Sequence, residues 1–114
     1  MPGQVHVVKE PPLGWIIFDH PERRNALSVG MWEAMPGAVA FLASDPAIRV
    51  VILRGAGETA FVSGADISQF EQLRSGALGA GAYEELTDRA FRAFADLELP
   101  VLAMIHGFCI GGGL

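Results

Sequence analysis

Two glycine-bearing segments, Phe61-Val-Ser-Gly-Ala-Asp-Ile67 and Ile105-His-Gly-Phe-Cys-Ile-Gly-Gly-Gly-Leu114, each follow an apolar, strand-like run. A strand that turns through glycine into a helix leaves amides pointing out of the turn, because the first N–H groups of a helix have no partner inside it. Two such turns facing one point can hold an oxyanion. Few folds bring two strand ends together in that way, so this pair of turns restricts the architecture more than any other feature of the chain.

Size and charge set further limits. A chain of 114 residues fits one domain and buries roughly two-thirds of its surface on folding. Its hydrophobic fraction of 51% exceeds the usual ~45–50%, which counts glycine as well, so some apolar surface is expected to pack against something outside this segment. The net charge of -5 comes from scattered acids, and the basic residues form no stripe although Arg23 and Arg24 are adjacent. Nucleic-acid and membrane-surface roles therefore have no electrostatic footprint. The single cysteine, Cys109, has no disulfide partner and no histidine or cysteine at metal-ligand spacing, so no metal is expected and a reducing cytoplasm is the expected setting. The N-terminus lacks the basic and apolar regions of a secretory signal, and no apolar run approaches the roughly 20 residues of a membrane span.

Along the chain, elements alternate in type. Val5 to Lys9 and Trp15 to Asp19 read as two strands joined by a loose loop, Glu10-Pro-Pro-Leu-Gly14. Ser28 sits where a helix N-cap belongs, ahead of Met31, Trp32, Met35, Val39 and Leu42 on one face. Pro36 is expected to kink or divide that helix. Arg49 to Arg54 reads as a strand buried on both faces, and Phe61 and Val62 as another short one. A helix is expected from about Asp66, carrying Ile67, Phe70 and Leu73, then a loop over Ser75 to Gly81. Tyr83, Leu86, Ala90, Phe94 and Leu97 return to helical spacing, and Val101 to Ile105 reads as a buried strand. Trp15, Trp32 and the seven phenylalanines fall at core spacings.

The ordered set of Pro21-x-Arg-Arg-Asn-Ala-Leu27, the Arg-Val-Val-Ile-Leu strand, Phe-Val-Ser-Gly-Ala-Asp-Ile and Ile-His-Gly-Phe-Cys-Ile-Gly-Gly-Gly closely resembles the N-terminal part of the crotonase superfamily, the enoyl-CoA hydratase/isomerase family. Each motif alone is weak, but three in the correct order with the matching strand among them, over nearly the whole chain, are specific. The resemblance implies an α/β fold of crotonase type (ClpP/crotonase), a spiral of ββα units of which residues 1–114 are the N-terminal half. Members run to about twice this length, the size of one complete α/β domain, so the chain is expected to be the N-terminal portion of a single domain cut after the Gly-Gly-Gly turn.

Carried over by motif position, the resemblance implies that the backbone N–H groups of Ala65 and Gly112 form the oxyanion hole for an acyl-CoA thioester carbonyl. It places Arg23, Arg24, Ala26, Leu27, Ser63, Ala65, Asp66, Ile67, Gly111 and Gly112 along the coenzyme A groove, with Arg23 or Arg24 near the phosphates. Coenzyme A enters as part of the substrate, and no separate cofactor is implied. The glutamates that act as acid and base in the hydratases fall after the Gly-Gly-Gly turn. Hydration of a 2-enoyl-CoA is the expected reaction of the full-length protein, as the commonest role the resemblance implies, with double-bond isomerisation, thioester hydrolysis and a non-catalytic acyl-CoA-binding or interaction module as the alternatives. The resemblance also implies a homo-oligomer, a trimer or hexamer.

Three polar residues have plainer readings. Asp66 is better placed as the cap of the following helix than as a catalytic acid. His106, at a strand end, is read as bonding a backbone group. Cys109, between Phe108 and Ile110, is read as a small buried apolar residue.

Overall fold

The computed structural model describes residues 3–64 and 79–109. The expectations for Ala65, Asp66, Ile67, Phe70, Leu73, Gly111 and Gly112 lie outside the described residues. Strands β1 (Gln4–Glu10) and β2 (Leu13–Asp19) pair antiparallel, Glu10 opposite Leu13. The expected loose loop is thus a two-residue turn, Pro11-Pro12. Neither proline has an N–H to leave unpaired, and the Pro12 carbonyl instead accepts from Arg49 (2.8 Å) and Val50 (3.3 Å), which seats the next strand.

A 3-10 turn (Pro21–Arg23) leads to helix α1 (Val29–Ala43), whose N-cap Ser28 accepts from the Met31 amide at 3.3 Å, as expected. Met31, Trp32, Met35, Ala38, Val39 and Leu42 form its buried stripe. Pro36 lies inside α1 without dividing it. An interior proline costs about 3 kcal/mol, whereas burying each large apolar side chain gains about 1.5–3 kcal/mol. With Trp32 and Met35 before the proline and Val39 and Leu42 after it, packing outweighs the lost bond.

The chain then alternates between two sheets. Strand β3 (Val50–Gly55) joins the first sheet parallel to β2, and β4 (Ala60–Val62) belongs to a second. Helix α2 (Gly79–Ala95) follows, so residues 79–81 are helical where a loop was expected. Strand β5 (Val101–Met104) returns to the first sheet parallel to β3, and β6 (Phe108–Cys109) to the second, parallel to β4. The first sheet has the order β1-β2-β3-β5 and the second β4-β6. Each turn of chain after β2 thus deposits one strand in each sheet, the alternation a ββα spiral requires. Gly107, at φ 74°, makes the last pairing possible, because a side chain there would overlap the Thr59 carbonyl.

The core lies between α1, α2 and one face of the first sheet, centred on Ile16, Met31, Leu42 and Val51, all 0% exposed. Phe18 and Phe61 meet edge to face at 5.9 Å between centroids and tie the two sheets together. Several expected core positions are not buried. Strand β5 is exposed along its length because, among the described residues, only β3 lies beside it; Leu102 and Met104 are more than half exposed. Phe41 and Phe91 are also half exposed, Phe41 beneath the Lys9 ammonium at 4.1 Å. Trp15 is only partly buried, on the sheet face away from α1, with the Arg54 guanidinium 6.0 Å from its ring. Cys109 is partly buried and His106 exposed.

Candidate functional site

Residues 20–27 form a buttressed loop beside the end of β4. Arg24 (φ 53°) and Asn25 (φ 60°) are consecutive left-handed residues. Asparagine tolerates this region and arginine does so at a cost of roughly 1–2 kcal/mol, so the loop requires compensation. Asn25, 3% exposed, supplies it. Its Oδ1 accepts from the His20 amide (2.9 Å), and its Nδ2 donates to the carbonyls of Ala56 (3.1 Å) and Ala60 (2.8 Å). The backbone N–H of Asn25 closes back on the His20 carbonyl at 2.8 Å. One side chain therefore fastens the loop to both ends of the β3–β4 connection.

His20, also buried, places its Nδ1 2.8 Å from the Ala26 carbonyl. A carbonyl only accepts, so Nδ1 carries the proton in this bond. On the other side of the loop, the Ser63 hydroxyl donates to the Arg23 carbonyl (2.9 Å) and the Leu27 amide donates to the Gly64 carbonyl (2.7 Å). The loop and the turn leaving β4 are thus laced together at the start of the glycine-bearing segment. Gly55 lies underneath. A side chain there would overlap the Ala60 and Phe61 carbonyls and come within 2.6 Å of Asn25 Nδ2.

Of the residues expected along a substrate groove, the structure brings together Arg23, Ala26, Leu27 and Ser63, and Arg24 lies exposed beside them. It also shows which of their backbone groups are committed. The Arg23 carbonyl accepts twice, from Ser63 Oγ and from the Ala26 amide at 3.0 Å, and the Leu27 N–H is used by Gly64. The Ala26 carbonyl accepts from His20 Nδ1, and a carbonyl oxygen carries two lone pairs, so this bond does not exhaust it. Reasoning from sequence carried Asn25 only as a member of the Pro21 to Leu27 motif, and it missed His20 and Gly55 as parts of this site. The signal available was an asparagine, a residue tolerant of left-handed backbone, inside a polar loop.

Strands β4 and β6 run parallel, with Ala60 opposite Phe108 and Val62 opposite Cys109 and an irregularity between the two pairs. Neighbouring strands lie about 4.8 Å apart, so the strands within the two glycine-bearing segments lie side by side and run in the same direction. Among the described residues, no group of three or more His, Cys, Asp or Glu side chains is placed to hold a metal ion. None of the described helices is long and apolar enough to cross a membrane.

Residues 10–114 match the family model described as Enoyl-CoA hydratase/isomerase. A crotonyl-CoA hydratase from Syntrophomonas wolfei is 34% identical over 105 residues, covering 92% of this chain and 40% of that protein. A peroxisomal Delta(3,5)-Delta(2,4)-dienoyl-CoA isomerase from Arabidopsis thaliana is 35% identical over 109 residues, covering 87% of this chain and 39% of the relative. The crystal structure of a protein of the same family from Hyphomonas neptunium superposes with a TM-score of 0.92 at 40% identity, over 99% of this chain and 42% of its own. The chain thus spans about two-fifths of the length of these proteins.

Proposed function

Because the chain belongs to the enoyl-CoA hydratase/isomerase family and carries the N-terminal part of the crotonase fold, we propose that it supplies the oxyanion-binding part of an acyl-CoA site, with the amides of Ala65 and Gly112 as donors. The supporting observation is one of register. Val62 and Cys109 are paired across parallel strands, and Ala65 and Gly112 are each the third residue beyond them. Two equal steps from paired positions favour two amides converging on one oxygen. Such donors act on the negative charge of an enolate more than on the neutral thioester, and each is worth about 3–4 kcal/mol of barrier.

The coenzyme moiety runs, on this reading, along the laced loop. The Ala26 carbonyl has acceptor capacity left, and the exposed Arg23 and Arg24 side chains reach toward the phosphates. Ser63 acts indirectly, since its hydroxyl proton is engaged by Arg23. On the same reading Asp66, Ile67 and Gly111 belong to the substrate groove as well. The reaction proposed is hydration of a 2-enoyl-CoA, in line with the Syntrophomonas relative. Double-bond isomerisation uses the same hole with other acids and bases, and the Arabidopsis relative favours keeping that reading.

The test is a chimera in which residues 1–114 replace the matched stretch of the Syntrophomonas hydratase, assayed by loss of the crotonyl-CoA enoyl absorbance. Gly112→Pro deletes one donor and is expected to lower kcat about a hundredfold or more with KM changed far less. Turnover within threefold of the parent chimera, in a folded protein, removes Gly112 from the mechanism.

A further inference from the structure

An apolar recess lies between α1, α2 and the core face of the first sheet. It has a volume of ≈ 210 Å³, and its walls include Leu27, Trp32, Met35, Phe61, Val62 and Phe94. A cavity of about 150 Å³ lined by Leu, Ile and Phe accepts benzene, so this one takes a six-membered ring or a short branched chain. It opens to the surface, because Phe91 and Val101 also line it and are 53% and 36% exposed.

One feature of the lining is polar. Trp32 is 3% exposed, and its indole Nε1–H is buried without a hydrogen-bond partner among the described residues. Buried donors are nearly always paired, and an exception calls for a cause. The neighbouring Phe91 ring, 5.5 Å away between centroids at an interplanar angle of 63°, is at best a weak π acceptor for an N–H. An oxygen carried into the cavity by a ligand is a far better one.

We propose that this cavity binds a ring-sized apolar group bearing one hydrogen-bond-accepting oxygen, read by Trp32 Nε1–H. Leu27 is bonded to Gly64, and Val62 ends β4, so the cavity adjoins the turn that carries the thioester site. Its ligand is then the acyl portion of the substrate, an assignment that rests on the acyl-CoA reading above. The chemistry of the cavity itself does not depend on that reading.

The 114-residue chain provides its own reporter and control, since Trp15 is the only other tryptophan and faces the opposite side of the sheet. Cyclohexanone and methylenecyclohexane are close in size and shape and differ in the acceptor oxygen. Titrated separately and followed by the indole proton–nitrogen resonances, cyclohexanone is expected to move the Trp32 Nε1–H signal downfield saturably and leave Trp15 in place. Its affinity relative to the hydrocarbon is expected to be about tenfold greater in the parent chain than in Trp32→Phe, the worth of one satisfied buried donor. In Trp32→Phe the hydrocarbon should bind the more tightly, because the ketone then gives up its hydrogen bonds to water without replacement. An unmoved Trp32 signal or parallel movement of Trp15 overturns the proposal, and neither readout needs the variant to fold; an affinity ratio unchanged in a folded Trp32→Phe overturns it as well. No coenzyme A is present, so a positive titration beside a chimera indifferent to Gly112→Pro keeps the cavity site and removes its acyl role. A negative titration beside an active, Gly112-dependent chimera removes the cavity site alone.

Discussion

Replacing Asn25 by alanine removes at once the three bonds that hold the 20–27 loop to His20, Ala56 and Ala60, at 2.9, 3.1 and 2.8 Å. At a net 0.5–1.5 kcal/mol each, the bonds account for roughly 1.5–4.5 kcal/mol. The backbone adds to this, since alanine at φ 60° meets the left-handed penalty of about 1–2 kcal/mol that asparagine partly escapes. A total near 4 kcal/mol is expected against the 5–15 kcal/mol that stabilises an ordinary domain. Asn25→Gly separates the two contributions. It removes the same bonds without the steric penalty, so it should be less damaging than alanine by about 1 kcal/mol. Urea unfolding followed by tryptophan fluorescence measures both variants, and amide exchange at Leu27, whose N–H bonds Gly64, reports whether the loop loosens first. A loss below about 1 kcal/mol for Asn25→Ala, less than the three bonds alone should cost, with Leu27 exchange unchanged, refutes the account of Asn25 as the clamp of the site.

Gly55→Ala should be at least as costly as Asn25→Ala, because the added carbon meets the backbone carbonyls of Ala60 and Phe61 and crowds Asn25 Nδ2; an unfolding midpoint equal to that of the parent contradicts this. Asp45 has its carboxyl held below its ordinary value of 3.8, first by the Ala47 amide and then by Lys9. A depressed folded pKa means that its contribution to stability is present above the unfolded pKa and is lost as pH falls through the folded one. The carboxyl resonance of Asp45 should titrate below 3.8, and Lys9→Met should raise the midpoint only partly, since the amide is the larger cause; a parent midpoint at or above 3.8 refutes the assignment. Leu102 and Met104 lie two residues apart on the exposed strand β5, and exposed apolar edges promote association. Leu102→Lys with Met104→Glu should therefore lower the apparent mass of the 114-residue chain in light scattering, and an unchanged mass means that association, if any, uses another surface.

Periodicity and turn chemistry are local properties, and what depends on them was legible in the residues alone. The stripe from Met31 to Leu42, the Ser28 cap, the β3 strand and the strand that precedes Ser63 all follow from residues within a few positions of one another. The ordered motifs were enough for the family, which the match over residues 10–114 bears out. Tertiary structure decided the rest, because a hydrogen bond or a strand pairing depends on elements far apart in the chain. Asn25 meets Ala60 across 35 residues, and nothing near either residue announces the contact. Strand β6 exists through its pairing with β4, where reading residues 105 to 114 in isolation saw only a turn. Continuous apolar character made Val101 to Ile105 look buried, yet burial belongs to the neighbours a strand has, and β5 stands at an edge. The indole of Trp32, unpaired among the described residues, is the same lesson inside the core: its position on the buried face of α1 was readable from spacing, but whether its N–H finds an acceptor depends on which side chains the other elements place around it.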